Sequence, residues 1–131
     1  MSDLSHWNIV VAFKPEEAAA LAVGLDPSLP MSSEEAARAN LVLREIFRAH
    51  SESVSWCTDY VAVMGFQGGP KRLEILSRAL DAPLLSVQLR AEVRDCFRTE
   101  MELSEEFKIG RVALTFDRPT LHSWFARNNF Q

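Results

Sequence analysis

The sequence predicts a mainly α fold: a compact bundle of five or six helices with one small two-stranded β-sheet that pairs the N- and C-terminal strands. Apolar residues recur every three or four positions over most of the chain, as in amphipathic helices. Residues 8–13 and 111–116 instead alternate like short strands, and a proline soon follows each segment. Because both ends of the chain share this layout, we expect the two strands to pair and close the fold.

Each end of the chain is a strand followed by a helix that opens with proline. Pro15 suits the first turn of the N-terminal helix, and two glutamates then lie at the positive end of the helix dipole. Gly24 and Pro27 end this helix. At the other end, Asp117 is suited to cap the last helix, with Pro119 in its first turn.

Two helices are predicted between residue 32 and the Gly-Gly-Pro break that ends at Pro70. A capping box of Ser32 and Glu35 opens the first, which continues to about residue 50. Residues 54–66 are apolar on most sides and predict a buried central helix, although their β-branched and aromatic content argues for a strand.

Two more helices are predicted after the break at Pro70. The first carries three leucines on one side: Leu73, Leu76 and Leu80. The second, the longest, runs from about residue 84 to residue 101, with apolar residues recurring every four positions: Leu85, Leu89, Val93, Phe97 and Met101. Residues 102–108 are polar and predict the end of this helix and a loop.

Length and composition suit one globular domain over residues 1–131. The net charge is −4, and residues 1–53 carry four basic side chains against eight acidic ones. A DNA-binding domain usually has a basic excess, so this balance disfavours nucleic acid as a partner without removing it. Cys57 and Cys96 are expected to be reduced thiols in or near the core. No apolar run approaches the roughly 20 residues that span a bilayer, and the cytoplasm is the expected location.

Arg90, Arg94 and Arg98 are the candidate partner-binding residues. They lie four positions apart, so they share one face of the longest helix, beside its apolar stripe. This pattern indicates a docking surface for an acidic partner or a phosphate. The alternative is a solvated face whose arginine stems cover apolar neighbours, and Glu102 could pair with Arg98 there.

The last helix carries the candidate nucleic-acid-binding residues Arg118, His122, Arg127 and Asn128, which could reach base edges or phosphates if the helix entered a major groove. This end resembles small excisionase-type or winged helix-turn-helix domains, in which an apolar helix residue precedes a tryptophan and a polar run. The alternative is a C-terminal helix that packs through its apolar face.

Catalytic patterns are weak. The histidines are widely separated, the cysteines lack zinc-site spacing, and no nucleophile or metalloprotease motif is present. We therefore expect a protein that is not an enzyme and uses no cofactor or metal. A nucleophilic pair of Cys57 with His50 stays open, because such pairs meet in space and not in sequence.

The segment E-A-A-x-L-x-x-G-x-D-P, which ends at Pro27, together with Arg118, Leu121 and Trp124, resembles uncharacterised small proteins of bacterial prophages and mobile elements. This resemblance implies an accessory role and no reaction. The expected function is a non-enzymatic accessory or regulatory protein that binds a host or phage protein. The alternative is a helix-turn-helix-like DNA-binding regulator, and a homodimer is compatible with the sequence.

Overall fold

The computed structural model describes residue 7, residues 10–64 and residues 69–129. These residues form six helices and one antiparallel pair of short strands, so the predicted mainly α fold with a small sheet is confirmed. The elements in chain order are β1 (Ala12–Phe13), α1 (Pro15–Ala22), α2 (Ser33–Met64), α3 (Pro70–Ala79), α4 (Val87–Thr99), α5 (Glu105–Lys108), β2 (Phe116–Asp117) and α6 (Arg118–Arg127).

The chain divides into two compact units. The first comprises the described residues of Met1–Arg48 and Thr115–Gln131, and the second those of Ala49–Leu114. Helix α2 contributes residues to both units, and the single domain expected over residues 1–131 stays a prediction. In the part of the chain that is described, no helix has both the length and the apolar character needed to cross a bilayer.

In the first unit, β1 and β2 pair antiparallel with Phe13 opposite Phe116. Both rings are buried, with exposures of 3% and 0%. β2 leads into α6, where the Asp117 carboxylate accepts the backbone N–H of Thr120 as predicted for an N-cap. The predicted pairing of the two end strands is therefore confirmed.

Both strands are shorter than predicted. Residues 8 and 9 lie outside the described residues, and β1 begins only at Ala12. In the segment predicted as the C-terminal strand, Val112 and Leu114 lie outside β2 and pack against the apolar core of the second unit. Only two residues on each side are left to form the sheet.

Helix α2 replaces the two helices predicted between residues 32 and 66. Its capping box forms as predicted, with Glu35 and Ser32 each accepting the other's backbone N–H. The polar residues 51–53 do not break it, and the buried Ser53 hydroxyl donates to the Ala49 carbonyl one turn earlier in the helix. One side is buried along its length: Ala39, Val42, Ile46, Ala49, Ser53, Cys57, Val61 and Met64.

In its second half, α2 thus buries only one of its sides. The prediction that residues 54–66 form a buried helix is therefore wrong for the described residues. Trp56 and Val63 are 38% and 43% exposed. Phe66, the predicted end of this helix, lies outside the described residues.

Helix α4 supplies the other side of the second unit's core. Four members of its predicted apolar stripe are buried: Leu85, Leu89, Val93 and Phe97. Met101 is instead 65% exposed, because α4 ends at Thr99 and Glu100 adopts a left-handed conformation with φ of 61°. The stretch predicted as a loop, residues 102–108, contains the short helix α5, which buries Phe107.

Two buried polar side chains of α2 hold the segment that precedes α4. The Ser53 hydroxyl accepts the N–H of Leu84 at 2.7 Å. His50 Nε2 lies 3.0 Å from Ser86 Oγ, and the same hydroxyl caps α4 by accepting the N–H of Leu89. We call His50, Ser53 and Ser86 the polar anchor.

Replacing Ser53 by Ala tests the first half of the polar anchor. The change leaves the buried N–H of Leu84 without its acceptor, so we expect the free energy of unfolding to fall by about 1–3 kcal/mol. Urea denaturation measures this. Ser55→Ala, at an exposed position of the same helix, is the control and should change little. Equal effects of the two substitutions would contradict the role given to Ser53.

The second half of the polar anchor predicts a pH dependence. Burial lowers the pKa of His50 from 6.5 to about 4. The unfolded chain therefore binds a proton near pH 6.5 that the folded chain binds only near pH 4, so stability is lost as pH falls through this window. From about pH 7 to about pH 5 we expect the free energy of unfolding to drop by about 2 kcal/mol.

Urea denaturation at the two pH values measures this drop. His50→Gln should be less stable at neutral pH but should show a flatter pH dependence. The same slope in both proteins would show that His50 does not titrate in this way.

Candidate functional site

Helices α3 and α4 pack against each other in the second unit and leave a groove of about 330 Å³ at their open side. We call it the α3–α4 groove. Its lining combines guanidinium groups with apolar side chains: Gly69, Arg72, Leu73, Leu76, Arg94, Phe97 and Arg98. Two of the three arginines predicted to bind a partner therefore line one groove.

The apolar part of the groove runs from the core to the solvent. Phe97 is buried, Leu76 is half-buried, and Leu73 is 70% exposed. The sequence predicted Leu73 on the same packed side of its helix as Leu76 and Leu80. The structure corrects this, because α3 places Ala79 in the core and leaves Leu73 at the open rim.

Arg94 and Arg98 differ in their surroundings. Arg98 forms an exposed ion pair with Asp95 of the same helix. Arg94 is exposed and, among the described residues, has no carboxylate within ion-pair distance. The positive charge that the groove offers to a partner therefore comes mainly from Arg94.

The predicted pairing of Arg98 with Glu102 does not form. Glu102 lies beyond the end of α4, where its carboxylate is 4.0 Å from the Lys108 ammonium group. Arg90 is half-buried and is not among the residues that line the groove. The three arginines thus share a helix face, but only two of them share the site.

Arg72 connects the two helices of the groove, a role that sequence reasoning missed. Its guanidinium donates to the Glu100 carboxylate at 2.7 Å and to the carbonyl of Phe97 at 2.9 Å. The second contact satisfies a carbonyl in the last turn of α4, at the negative end of the helix dipole. In the sequence, Arg72 is marked only as one of two basic residues that follow the Gly-Gly-Pro break.

The candidate nucleic-acid-binding residues occupy α6 in the first unit. Arg118 donates to the carbonyls of Trp7 and Val10, at 2.5 and 3.2 Å. Arg127 and Asn128 each donate to a carbonyl four residues back in their own helix. His122 is exposed. Three of the four side chains thus make intramolecular contacts, and their role in binding DNA stays a prediction.

The sequence left open a catalytic pair of Cys57 and His50, but no hydrogen bond joins these two side chains. His50 lies beside Ser86, whereas the Cys57 thiol donates to the Ala79 carbonyl at 3.4 Å. Both cysteines are buried and free, as predicted. Burial raises the pKa of the Cys57 thiol to about 12 and that of Cys96 to about 11, so both stay protonated at neutral pH.

Metal-binding residues do not cluster in the described ranges, where no group of three or more His, Cys, Asp or Glu side chains could hold an ion. Comparison with protein-family models, curated proteins and solved structures finds no significant match. We therefore assign a role to the α3–α4 groove only from its lining side chains.

Replacing Arg72 by Met tests whether this residue holds the groove together. Met keeps an apolar stem but removes both hydrogen bonds, so we expect the free energy of unfolding to fall by about 1–2 kcal/mol. Thermal or urea denaturation measures the change. Lys71→Met, at an exposed neighbour on the same helix, is the matched control and should have little effect. A neutral Arg72→Met variant would contradict the bridging role.

Proposed function

We propose that the protein is a non-enzymatic accessory protein that acts by binding another protein through the α3–α4 groove. The observation that carries this proposal is the exposed Leu73, which lies with Arg94 at the rim of a groove whose floor is the buried Phe97. Arginine is enriched among the residues that supply most of the binding energy in protein interfaces, and an exposed apolar side chain gains free energy when a partner removes it from water. The groove offers both.

The chemistry of the groove defines the partner segment. An amphipathic helix with apolar residues on one face could cover Leu73 and Leu76, as helices do in other apolar grooves. An acidic residue on that helix could then accept hydrogen bonds from Arg94. We therefore propose an acidic, amphipathic segment of a protein as the occupant.

The biological setting of the proposal follows from the sequence resemblance. An accessory protein of a prophage or mobile element would act in the bacterial cytoplasm on a host or phage protein.

Charge reversal at Arg94 tests the proposal. We expect immobilised wild-type protein to retain a specific protein from nuclease-treated lysate of its source cell, and Arg94→Glu to bind it at least roughly tenfold more weakly. Arg94 is exposed, so the variant should fold, which circular dichroism would show. Arg111→Glu makes the same change in net charge at another exposed arginine of the second unit and should bind normally.

A second pair of variants separates the apolar contact from the charge. Leu73→Ser should weaken the same complex, whereas Met101→Ser, at a residue of similar exposure, should not. If the complex is unaffected by both Arg94→Glu and Leu73→Ser, the α3–α4 groove is not the docking site. If partners are recovered only without nuclease, and duplex DNA binds with a steep salt dependence that Arg127→Ala removes, the DNA-binding alternative is favoured.

A further inference from the structure

A second cavity lies within the first unit, between the sheet, α1 and α6. It measures about 320 Å³, which is within the range of small-ligand pockets. Most of its wall is apolar: Phe13, Ala18, Leu21, Ala22, Leu121 and Phe125. An apolar wall of this kind favours the apolar body of a small molecule because binding removes part of that body from water.

Two nitrogen-bearing side chains of α6 line the same cavity. Arg118 and His122 are four residues apart, so they project from one face of the helix. Gly24 completes the lining, and no acidic side chain is among the described residues that form it. The polar part of the cavity thus offers donors and positive charge without a competing carboxylate.

The Arg118 guanidinium is held in place before any ligand arrives. One of its nitrogens donates to the carbonyls of Trp7 and Val10. Its central carbon lies 5.3 Å from the centroid of the Phe13 ring, which is buried beneath it. A guanidinium fixed in this way loses little conformational entropy when it binds an anion.

We propose that this cavity binds a small amphipathic carboxylate, a molecule with a short acyl or aromatic body and one carboxylate group. The body occupies the space between α1 and α6, and the carboxylate accepts hydrogen bonds from Arg118 and His122. A single guanidinium with one imidazole matches the two oxygens of a carboxylate. This ligand site is in the first unit and is separate from the residues proposed to bind a protein.

Titration of the ¹⁵N-labelled full-length protein with sodium octanoate tests the site by NMR. We expect saturable shifts of amide signals in α1 and α6, with a dissociation constant of about 1 mM or below. The uncharged n-octanol should bind roughly tenfold more weakly, because it cannot form the charge-assisted hydrogen bonds. Shifts that do not saturate, or equal affinity for octanoate and n-octanol, would overturn the proposal.

Substitutions in the cavity wall and at Arg118 test separately whether the ligand occupies the cavity and whether the Arg118 guanidinium binds its carboxylate. Ala22→Phe fills the cavity without removing a contact of Arg118 and should abolish octanoate binding, whereas Ala37→Phe, at an exposed position of α2, should bind as wild type. Arg118→Gln should remove the preference for octanoate over n-octanol. If Arg118→Gln fails to fold, His122→Ala should still weaken octanoate binding more than n-octanol binding. Unchanged octanoate affinity in Ala22→Phe would show that the ligand binds elsewhere.

Discussion

The polar anchor is the constraint on which the second unit depends. A buried polar group without a hydrogen-bond partner costs more than the bond itself contributes, so Ser53 and His50 restrict where their partners can lie. Their partners are the N–H of Leu84 and the hydroxyl of Ser86. Because Ser86 also caps α4, the position of that helix is fixed from its first turn. Helix α4 in turn presents the side chains of the α3–α4 groove.

The same constraint explains how α2 can be one long helix. Apolar cores tolerate many combinations of residues, so hydrogen bonds to buried polar groups add a constraint that apolar packing does not supply. Ser53 and His50 lie within the buried stripe, and each has a partner in the segment that precedes α4. The serine also donates to the Ala49 carbonyl, so a residue type that usually weakens helices is here accommodated inside one.

Local patterns made part of the structure predictable. The strand–proline–helix layout predicted the pairing of the end strands, and spacing of four placed Arg94 and Arg98 on one face. The exposure of Leu73 and the bridge made by Arg72 were not predictable in the same way. Both depend on how α3 is rotated against α4, which is decided by packing between residues distant in sequence. The continuity of α2 was not predicted because residues 51–53 are polar, and the N–H that makes a buried Ser53 acceptable belongs to Leu84, in another segment.

The arginines that line the α3–α4 groove show how contacts there distinguish a structural residue from a recognition residue. Arg72 donates hydrogen bonds to the Phe97 carbonyl and the Glu100 carboxylate, and Arg98 forms an ion pair with Asp95. An incoming acidic group must compete with these contacts. Arg94 meets no such competition from the described carboxylates, and it lies beside apolar surface that lowers the local dielectric once covered. Reversal of its charge should therefore affect binding far more than folding, whereas loss of Arg72 should lower the stability of the fold as well.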